Sequence, residues 1–422
     1  MEQKKTLEKL RLYVKNIKSV KNGGKMMKNA IITPTYLGHF KFIKKYLQSC
    51  REYIEDKENI TIIFTISKNE ATKFRKITNQ FEKELNIKTV YFDDILKKYN
   101  INIPENTLLK KYQKFSYQTL KKFYTMLYVE YDRFLVLDSE SMFIRKTNIK
   151  KLFDNYFESP FITISDVREQ IYTNNFKEGV IYNIDSILKI NKPIWFLENF
   201  IWFYDKKILI NLFDEYGEPI DIVERIRIKT KERFLEPGCF EISLYQGFIF
   251  KNSNRFRYRV LDANKLLKES LGEQSYKDYI DSLLKKYDGA FGLLEMSMML
   301  LTSNNIISIA NMYKKLSFNI IRCDSSNFHI YKLQQAFLEI VQPSILAASQ
   351  GHPWGINDTL RYKIKTLAIY GNIYVRYIYF DLRYIMQPII YIKNSLKSAF
   401  YIFKHTVKWC FEIIKNIKIF TK

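Results

Sequence analysis

Two carboxylates that directly follow a short apolar run are the residues best placed to do chemistry. The run reads Phe-Leu-Val-Leu at 134–137, and Asp138 and Glu140 come after it. Such a run is typical of a strand buried on both faces, and open α/β sheets bind ligands at the carboxyl ends of their strands. Residues two apart on an extended segment project to the same side. The pair therefore fits Mg²⁺ or Mn²⁺ carrying a substrate's phosphates, although an acidic turn without a ligand is the commoner case.

Polar residues at two other places could complete a nucleotide site. Thr33, Thr35 and Tyr36 stand at the end of the first apolar run, where a base and a ribose could bind. Gln118 and Lys121 are three residues apart on a predicted helix just before the acidic pair, so they share a helix face. The lysine could offset phosphate or sugar charge. In so lysine-rich a chain, a solvated helix face explains it equally well.

An acidic residue and a histidine later in the chain are further candidates. Glu241 comes shortly after a Pro-Gly turn and could act as a general base, although helix capping or a salt bridge explains it nearly as well. His352 stands between a glycine and a proline, which predicts a loop. It could complete a metal site begun by Asp138 and Glu140. His39 is a weaker candidate.

A sheet is needed to position these side chains, and the alternation of apolar runs with helical stretches predicts one. The first strands and the helices between them are predicted at residues 29–36, 37–53, 60–66, 71–85 and 88–92. Later elements are predicted as a helix at 116–131 and as strands at 134–137, 161–165, 306–309 and 318–322. This order is typical of βαβ units with helices on both faces of the sheet. The expected fold class is α/β, with a Rossmann-type, mostly parallel sheet and flanking helices.

The positive charge of the chain is concentrated at its two ends. The 422 residues carry a net charge of +24, of which residues 1–28 hold +7 and residues 361–422 hold +10. A basic channel through the core, as a nucleic-acid-binding protein would use, is therefore not indicated. The expected organisation is a basic extension at 1–28, a catalytic domain at 29–360 and a separate basic region at 361–422.

The region 361–422 has the pattern of an amphipathic helix. Apolar residues recur at intervals of three and four between 389 and 417, and lysines border that stripe. Lysines in this position can extend toward anionic lipid headgroups while the apolar face enters the bilayer interface. The pattern predicts association with an anionic membrane surface, with packing on the domain or in a dimer as the alternative.

The cysteines and the hydropathy bear on the compartment. The four cysteines, Cys50, Cys239, Cys323 and Cys410, are far apart and form no zinc-binding pattern. No secretory signal is recognisable, and no apolar run approaches the roughly 20 residues of a membrane-spanning helix. The expected location is cytoplasmic, peripheral on the inner membrane.

The order of these motifs resembles that of a known family. The sequence reads ITPTY at 32–36, YQTLKKFY at 117–124, YDRFLVLDSESMFIRK at 131–146, EISLYQGF at 241–248 and QGHPWG at 350–355. This is similar to GT-A glycosyltransferases of bacterial capsule or lipooligosaccharide assembly, in which a Gln-x-x-Lys helix precedes a strand ending in Asp-x-Asp. The resemblance covers residues 29–355.

The resemblance implies a nucleotide-sugar donor, most simply a UDP-sugar, held through Mn²⁺ or Mg²⁺. Asp138 would contact the ribose or the metal, and Glu140 stands where the family has its metal-binding aspartate. His352 would match a late histidine ligand of the metal. Glu241 would match the acidic residue near the acceptor, a glycan or lipid-linked glycan, and is the candidate base.

Three other functions fit parts of the sequence. A sugar nucleotidyltransferase would suit the acidic pair, but no glycine-rich phosphate loop follows the first strand. A nucleic-acid-binding protein would use the net charge, although nucleic acid is not the expected partner. The third is a GT-A-like assembly protein without catalysis, which the glutamate at position 140 leaves open.

Overall fold

A computed structural model of the chain describes residues 27–167, 175–198, 202–232, 238–286, 292–294, 301–302, 304–316, 320–324 and 332–349. The predictions for His352, for residues 1–26 and for the basic region 361–422 lie outside these ranges. In the described ranges, no helix combines the length and the apolar character that a membrane crossing requires.

Eleven strands and fourteen helices are defined in the described ranges. The strands are β1 Asn29–Pro34, β2 Thr61–Ile66, β3 Ile87–Tyr91, β4 Arg133–Val136, β5 Met142–Phe143, β6 Phe161–Asp166, β7 Ile194–Trp195, β8 Phe203–Asp205, β9 Arg259–Asp262, β10 Ile320–Asp324 and β11 Ile345–Ser349. The helices are α1 Phe40–Tyr53, α2 Ala71–Thr78, α3 Phe92–Lys98, α4 Glu105–Tyr128, α5 Ile149–Glu158, α6 Asn175–Leu188, α7 Lys206–Tyr216, α8 Pro219–Glu232, α9 Glu241–Lys251, α10 Ser253–Phe256, α11 Ala263–Leu271, α12 Glu273–Lys286, α13 Ile306–Lys315 and α14 Lys332–Val341.

The largest sheet has the strand order β3-β2-β1-β4-β8. β1 to β4 are parallel to one another, and β8 pairs antiparallel with β4. Every residue of β2 is buried, as expected for a strand covered by helices on both faces. Two smaller sheets have the orders β10-β11-β5 and β7-β6-β9. The predicted fold class, α/β with a mostly parallel sheet and flanking helices, is confirmed.

The order in which the chain adds strands to the large sheet reverses between β1 and β4. From β1 it moves outward through β2 to β3, and α3 and α4 then return it to β4 on the other side of β1. Ile32 of β1 lies opposite Val136 of β4, so the two strands end side by side. Such a switch point is where open α/β sheets form a ligand crevice.

Three predicted elements differ from the structure. The segment at 306–309, predicted as a strand, belongs to helix α13, because its buried residues Ile306, Ile309 and Tyr313 recur at helical spacing. The helix predicted at 71–85 ends at Thr78. Helix α4 spans Glu105–Tyr128 with a break in helical geometry at Gln113, whose φ is 61°. The helix predicted at 116–131 corresponds to the part after this break, and the part before it was not predicted.

Candidate functional site

The loop after β1 and the turn after β4 are neighbours at the switch point. The Leu137 N–H donates to the Ile32 carbonyl at 3.0 Å, which continues the pairing beyond the strands. The Thr35 N–H donates to the Thr65 carbonyl of β2 at 3.1 Å, and Thr33 is fully buried. The structure thus brings the Thr33–Tyr36 segment and the turn that carries Asp138 to the same sheet edge, as the sequence predicts.

Two consecutive lysines of α4 reach the two sides of this edge. Lys121 Nζ donates to the Thr35 carbonyl at 3.2 Å and lies 3.5 Å from Glu105 Oε1. Burial lowers the pKa of Lys121, against the opposing effect of Glu105. The contact ties α4 to the loop after β1. Gln118 is half-buried on the same helix. Donor binding by Gln118 and Lys121 stays a prediction.

Lys122 lies at the centre of the site, and the sequence analysis did not select it. Its Nζ is 2.6 Å from Glu241 Oε1, 3.6 Å from Asp138 Oδ1 and 4.2 Å from the ring centroid of Trp202. Burial disfavours the charged form, but the carboxylates of Glu241 and Asp138 outweigh it, so the pKa of Lys122 lies above its ordinary value. The side chain is therefore a fixed positive charge beside Asp138 at neutral pH.

Glu241 is the residue that holds Lys122 in place. It is the first residue of α9, where an acidic side chain also complements the helix dipole. Its side chain is buried, and its Oε2 lies 3.1 Å from Thr119 Oγ1, a hydroxyl that is shared with the Cys239 carbonyl at 2.5 Å. These contacts favour a positioning role. The role of general base stays a prediction.

The two carboxylates of the acidic pair have different partners. The Asp138 side chain is 36% exposed and lies beside Lys122. The Glu140 side chain is only 4% exposed, and its Oε1 is 2.9 Å from His39 Nδ1. Its Oε2 accepts from Ser139 Oγ at 2.8 Å. Asp138 is therefore accessible to a ligand at the sheet edge, whereas Glu140 is directed to His39.

An exposed aromatic side chain borders the edge on the β1 side. The Tyr36 side chain is 43% exposed, and its ring centroid lies 4.4 Å from that of His39. His39 ends the 3-10 turn Leu37–His39 that follows β1. His39 was the weaker histidine candidate from the sequence, and its partner Glu140 lies 101 positions away in the chain.

The residues present fit a cation that is shared with a substrate. Among the described residues, no three His, Cys, Asp or Glu side chains form a group that could hold a metal. Asp138 offers one accessible carboxylate, and Mg²⁺ is commonly bound by one or two carboxylates together with substrate phosphates and waters. The arrangement therefore suits a cation brought with a diphosphate better than one held by protein ligands alone.

Comparison with known proteins gives structural likeness only. No family model and no curated protein matches the sequence. Among the solved structures that are similar, apo mouse xyloside xylosyltransferase 1 is 10% identical over 56% of this chain and 86% of its own, with a TM-score of 0.33. S. aureus TarS is 13% identical over 69% of this chain and 49% of its own, with a TM-score of 0.30. Core-mannan synthase A of Aspergillus fumigatus, in a Mn/GDP form, is 10% identical over 57% and 74%, with a TM-score of 0.35.

Proposed function

We propose that this chain is a GT-A-type glycosyltransferase that transfers a sugar from a nucleotide-sugar donor to a surface-polysaccharide acceptor. The observation that carries the proposal is the pairing of an accessible carboxylate, Asp138, with a buried ammonium, Lys122, at the β1–β4 switch point. A ligand at this position would meet one group that can bind a cation and one fixed positive charge.

These two charges suit a diphosphate leaving group. When a nucleotide-sugar reacts, negative charge develops on the departing nucleoside diphosphate as the bond to the anomeric carbon breaks. A bound Mg²⁺ or Mn²⁺ would neutralise that charge, and Asp138 is the residue that would hold it. We propose a UDP-sugar as the donor because of the resemblance in motif order.

Lys122 is preorganised for this task. Glu241 fixes its position, Thr119 contacts Glu241 in turn, and the ring of Trp202 lies against the ammonium. A charge held by its neighbours before the substrate binds needs no reorganisation as charge develops in the transition state. We assign Lys122 to the orientation of Asp138 and to the electrostatic stabilisation of the diphosphate.

The segment after β1 argues against a sugar nucleotidyltransferase. Nucleotide-activating folds often cradle phosphates on a glycine-rich loop that opens a helix. Here β1 is followed by Thr35 and Tyr36 and then by the turn Leu37–His39, which contains a single glycine. Charge compensation by side chains and a cation takes the place of such a loop.

We also propose that the acceptor is a lipid-linked glycan at the inner membrane. The support is the sequence pattern of residues 361–422, which combines an apolar stripe with a net charge of +10. Flotation with anionic liposomes should carry the full chain upward and leave a variant lacking 388–422 at the bottom. If both proteins stay at the bottom, the membrane proposal is wrong, and the donor site is unaffected.

The donor site is tested by thermal shift with UDP, GDP, CMP and dTDP, each with Mn²⁺ or with EDTA. A ligand at a hundred times its dissociation constant adds about 2.7 kcal/mol to stability. We expect a metal-dependent shift with one nucleotide, lost in Asp138→Asn and kept in Asp154→Asn, a change of an exposed helix residue. A folded wild-type protein that responds to no nucleotide would refute the proposal.

A further inference from the structure

The side chain of Glu140 is buried and occupied by neighbouring side chains. Both of its oxygens are engaged, Oε1 with His39 Nδ1 at 2.9 Å and Oε2 with Ser139 Oγ at 2.8 Å. His39 Nδ1 also lies 3.2 Å from Ser139 Oγ, so His39, Ser139 and Glu140 form one network of polar contacts. Cation binding by Glu140 would require this buried carboxylate to give up these contacts, which is costly.

The contact links the two turns at the switch point. Glu140 stands on the turn after β4, and His39 ends the 3-10 turn after β1. The His39 ring is flanked by Tyr36, at 4.4 Å between centroids, and by the buried Phe42, at 5.5 Å edge to face. Glu140 therefore holds the imidazole ring of His39, which the ring of Tyr36 contacts.

Tyr36 and His39 form an aromatic ledge at the ligand edge of the sheet. The turn beneath it is fixed by Glu70, whose Oε1 accepts from the Leu37 N–H at 2.8 Å. A side chain at Gly38 would come within 2.6 Å of the Tyr36 ring, so the glycine lets the ring lie against the backbone. An exposed aromatic ring held in this way is suited to stack on a nucleobase.

We propose that Glu140 is a positioning residue for the nucleoside end of the donor, and not a ligand of the cation. It holds His39 in place so that Tyr36 presents its ring to the base. Of the acidic pair, only Asp138 then binds the cation at the diphosphate end of the donor. This inference rests on the proposed function, because it assigns the two ends of one nucleotide to two different carboxylates.

The test separates the two roles by measuring affinity with and without metal. Dissociation constants of UDP, GDP, CMP and dTDP are measured by calorimetry in Mn²⁺ and in EDTA. The proteins are the wild type, Asp138→Asn, Tyr36→Ala and three variants of Glu140. The decisive quantity is the ratio of the two constants, since it reports the metal alone and does not depend on turnover.

Each Glu140 variant changes a different property. Glu140→Gln removes the charge but can still accept from His39, so binding should change by less than about threefold in both conditions. Glu140→Ala loses the contact, and Glu140→Asp keeps the charge on a shorter arm. Both should weaken binding by about fivefold or more with Mn²⁺ and with EDTA alike, which is the lower range for loss of base stacking. The metal ratio should remain that of the wild type.

The Tyr36→Ala background distinguishes a positioning role of Glu140 from a general effect on stability. If Glu140 acts through the ledge, Glu140→Ala should have little further effect on affinity in the Tyr36→Ala background. Asp138→Asn should show the opposite pattern, with the metal ratio falling to about one because the cation ligand is lost.

Two results would overturn the inference and leave the proposed function standing. One is a metal ratio that collapses in Glu140→Gln, as it does in Asp138→Asn, which would make Glu140 a cation ligand. The other is a set of Glu140 variants that all bind like the wild type. If the wild type binds none of the four nucleotides, the inference and the proposed function fail together.

Discussion

The buried pair of Lys122 and Glu241 yields the sharpest prediction from the structure. The change is Lys122→Met, which removes the ammonium but keeps a long apolar side chain against Trp202. It leaves the Glu241 carboxylate buried without its countercharge, and the variant should unfold more easily than the wild type.

The expected magnitude follows from the geometry. At 2.6 Å, an effective dielectric constant of ~20 gives an attraction of about 6 kcal/mol. Desolvation of the two ions cancels much of this attraction, and removal of one partner of a buried pair typically costs about 3–5 kcal/mol. Glu241→Gln should cost less, about 1–3 kcal/mol, because Lys122 keeps Asp138 at 3.6 Å.

The assay is urea unfolding of the wild type, the two single variants and the double variant. In the double variant the buried charge is gone and the glutamine can still accept from Thr119, so most of the loss in Lys122→Met should be recovered. The control is Lys150→Met on α5. Lys150 lies 2.8 Å from Asp154, but both side chains are about half exposed. Because solvent screens that exposed pair, its removal should change the free energy of unfolding far less than Lys122→Met does.

Two outcomes would refute this reasoning. If Lys122→Met costs no more than Lys150→Met, the pair contributes as little as an exposed one. If the double variant loses the sum of the two single losses, Lys122 and Glu241 are not coupled, and the assignment of Glu241 as the residue that holds Lys122 is wrong.

Three further predictions concern stability. Burial lowers the pKa of Lys206, which donates to the Val129 carbonyl, to about 8. An unfolded lysine titrates near ~10.4, so at this position the unfolded chain binds more protons than the folded one above pH 8, and the contribution of Lys206 to the free energy of unfolding should rise by up to about 3 kcal/mol toward pH 10. Buried tyrosines and the Cys50 thiol, whose pKa values burial raises, act in the opposite direction in both proteins, so the quantity to measure is the difference between the wild type and Lys206→Met, which should grow in favour of the wild type between pH 8 and 10; a constant difference would contradict the prediction. Asp56→Ala should lower the free energy of unfolding in urea by about 1–2 kcal/mol, because the buried Asp56 carboxylate accepts from two backbone N–H groups at the start of α5. An unchanged unfolding midpoint would contradict this prediction. Gly292→Ala should destabilise the protein by about 1–3 kcal/mol, since its new Cβ would lie 2.6 Å from the Leu197 carbonyl oxygen. A melting temperature equal to that of the wild type would contradict this and show that the segment can shift.

The fold class could be predicted from the sequence because it depends on local patterns. The runs that become β1, β2 and β4 contain the consecutive apolar residues AII, IIF and FLV, which indicates strands covered on both faces, and helical stretches separate them. The prediction failed at 306–309, where the short segment Ile-Ile-Ser-Ile does not distinguish a strand from the first turn of a helix. It also missed the extent of α4, since the break at Gln113 has no clear sequence signal.

The site was only partly predictable. Its location after β4, and the neighbouring loop after β1, follow from the rule that parallel strands present their carboxyl ends at one edge. The choice between Lys121 and Lys122 does not. The two side chains leave the helix about 100° apart, and both are buried. Only the packing of α4 decides that Lys122 meets Asp138 while Lys121 meets Thr35.

The sequence by itself determined the parallel sheet and the position of Asp138 at its ligand edge, because both depend on residues adjacent in the chain. Only the tertiary structure decided the partners. It brings Glu241 to Lys122 across 119 positions and Glu140 to His39 across 101. Burial decides these contacts, since a charged group removed from water must take whichever opposite charge or hydrogen-bond donor the fold places within reach.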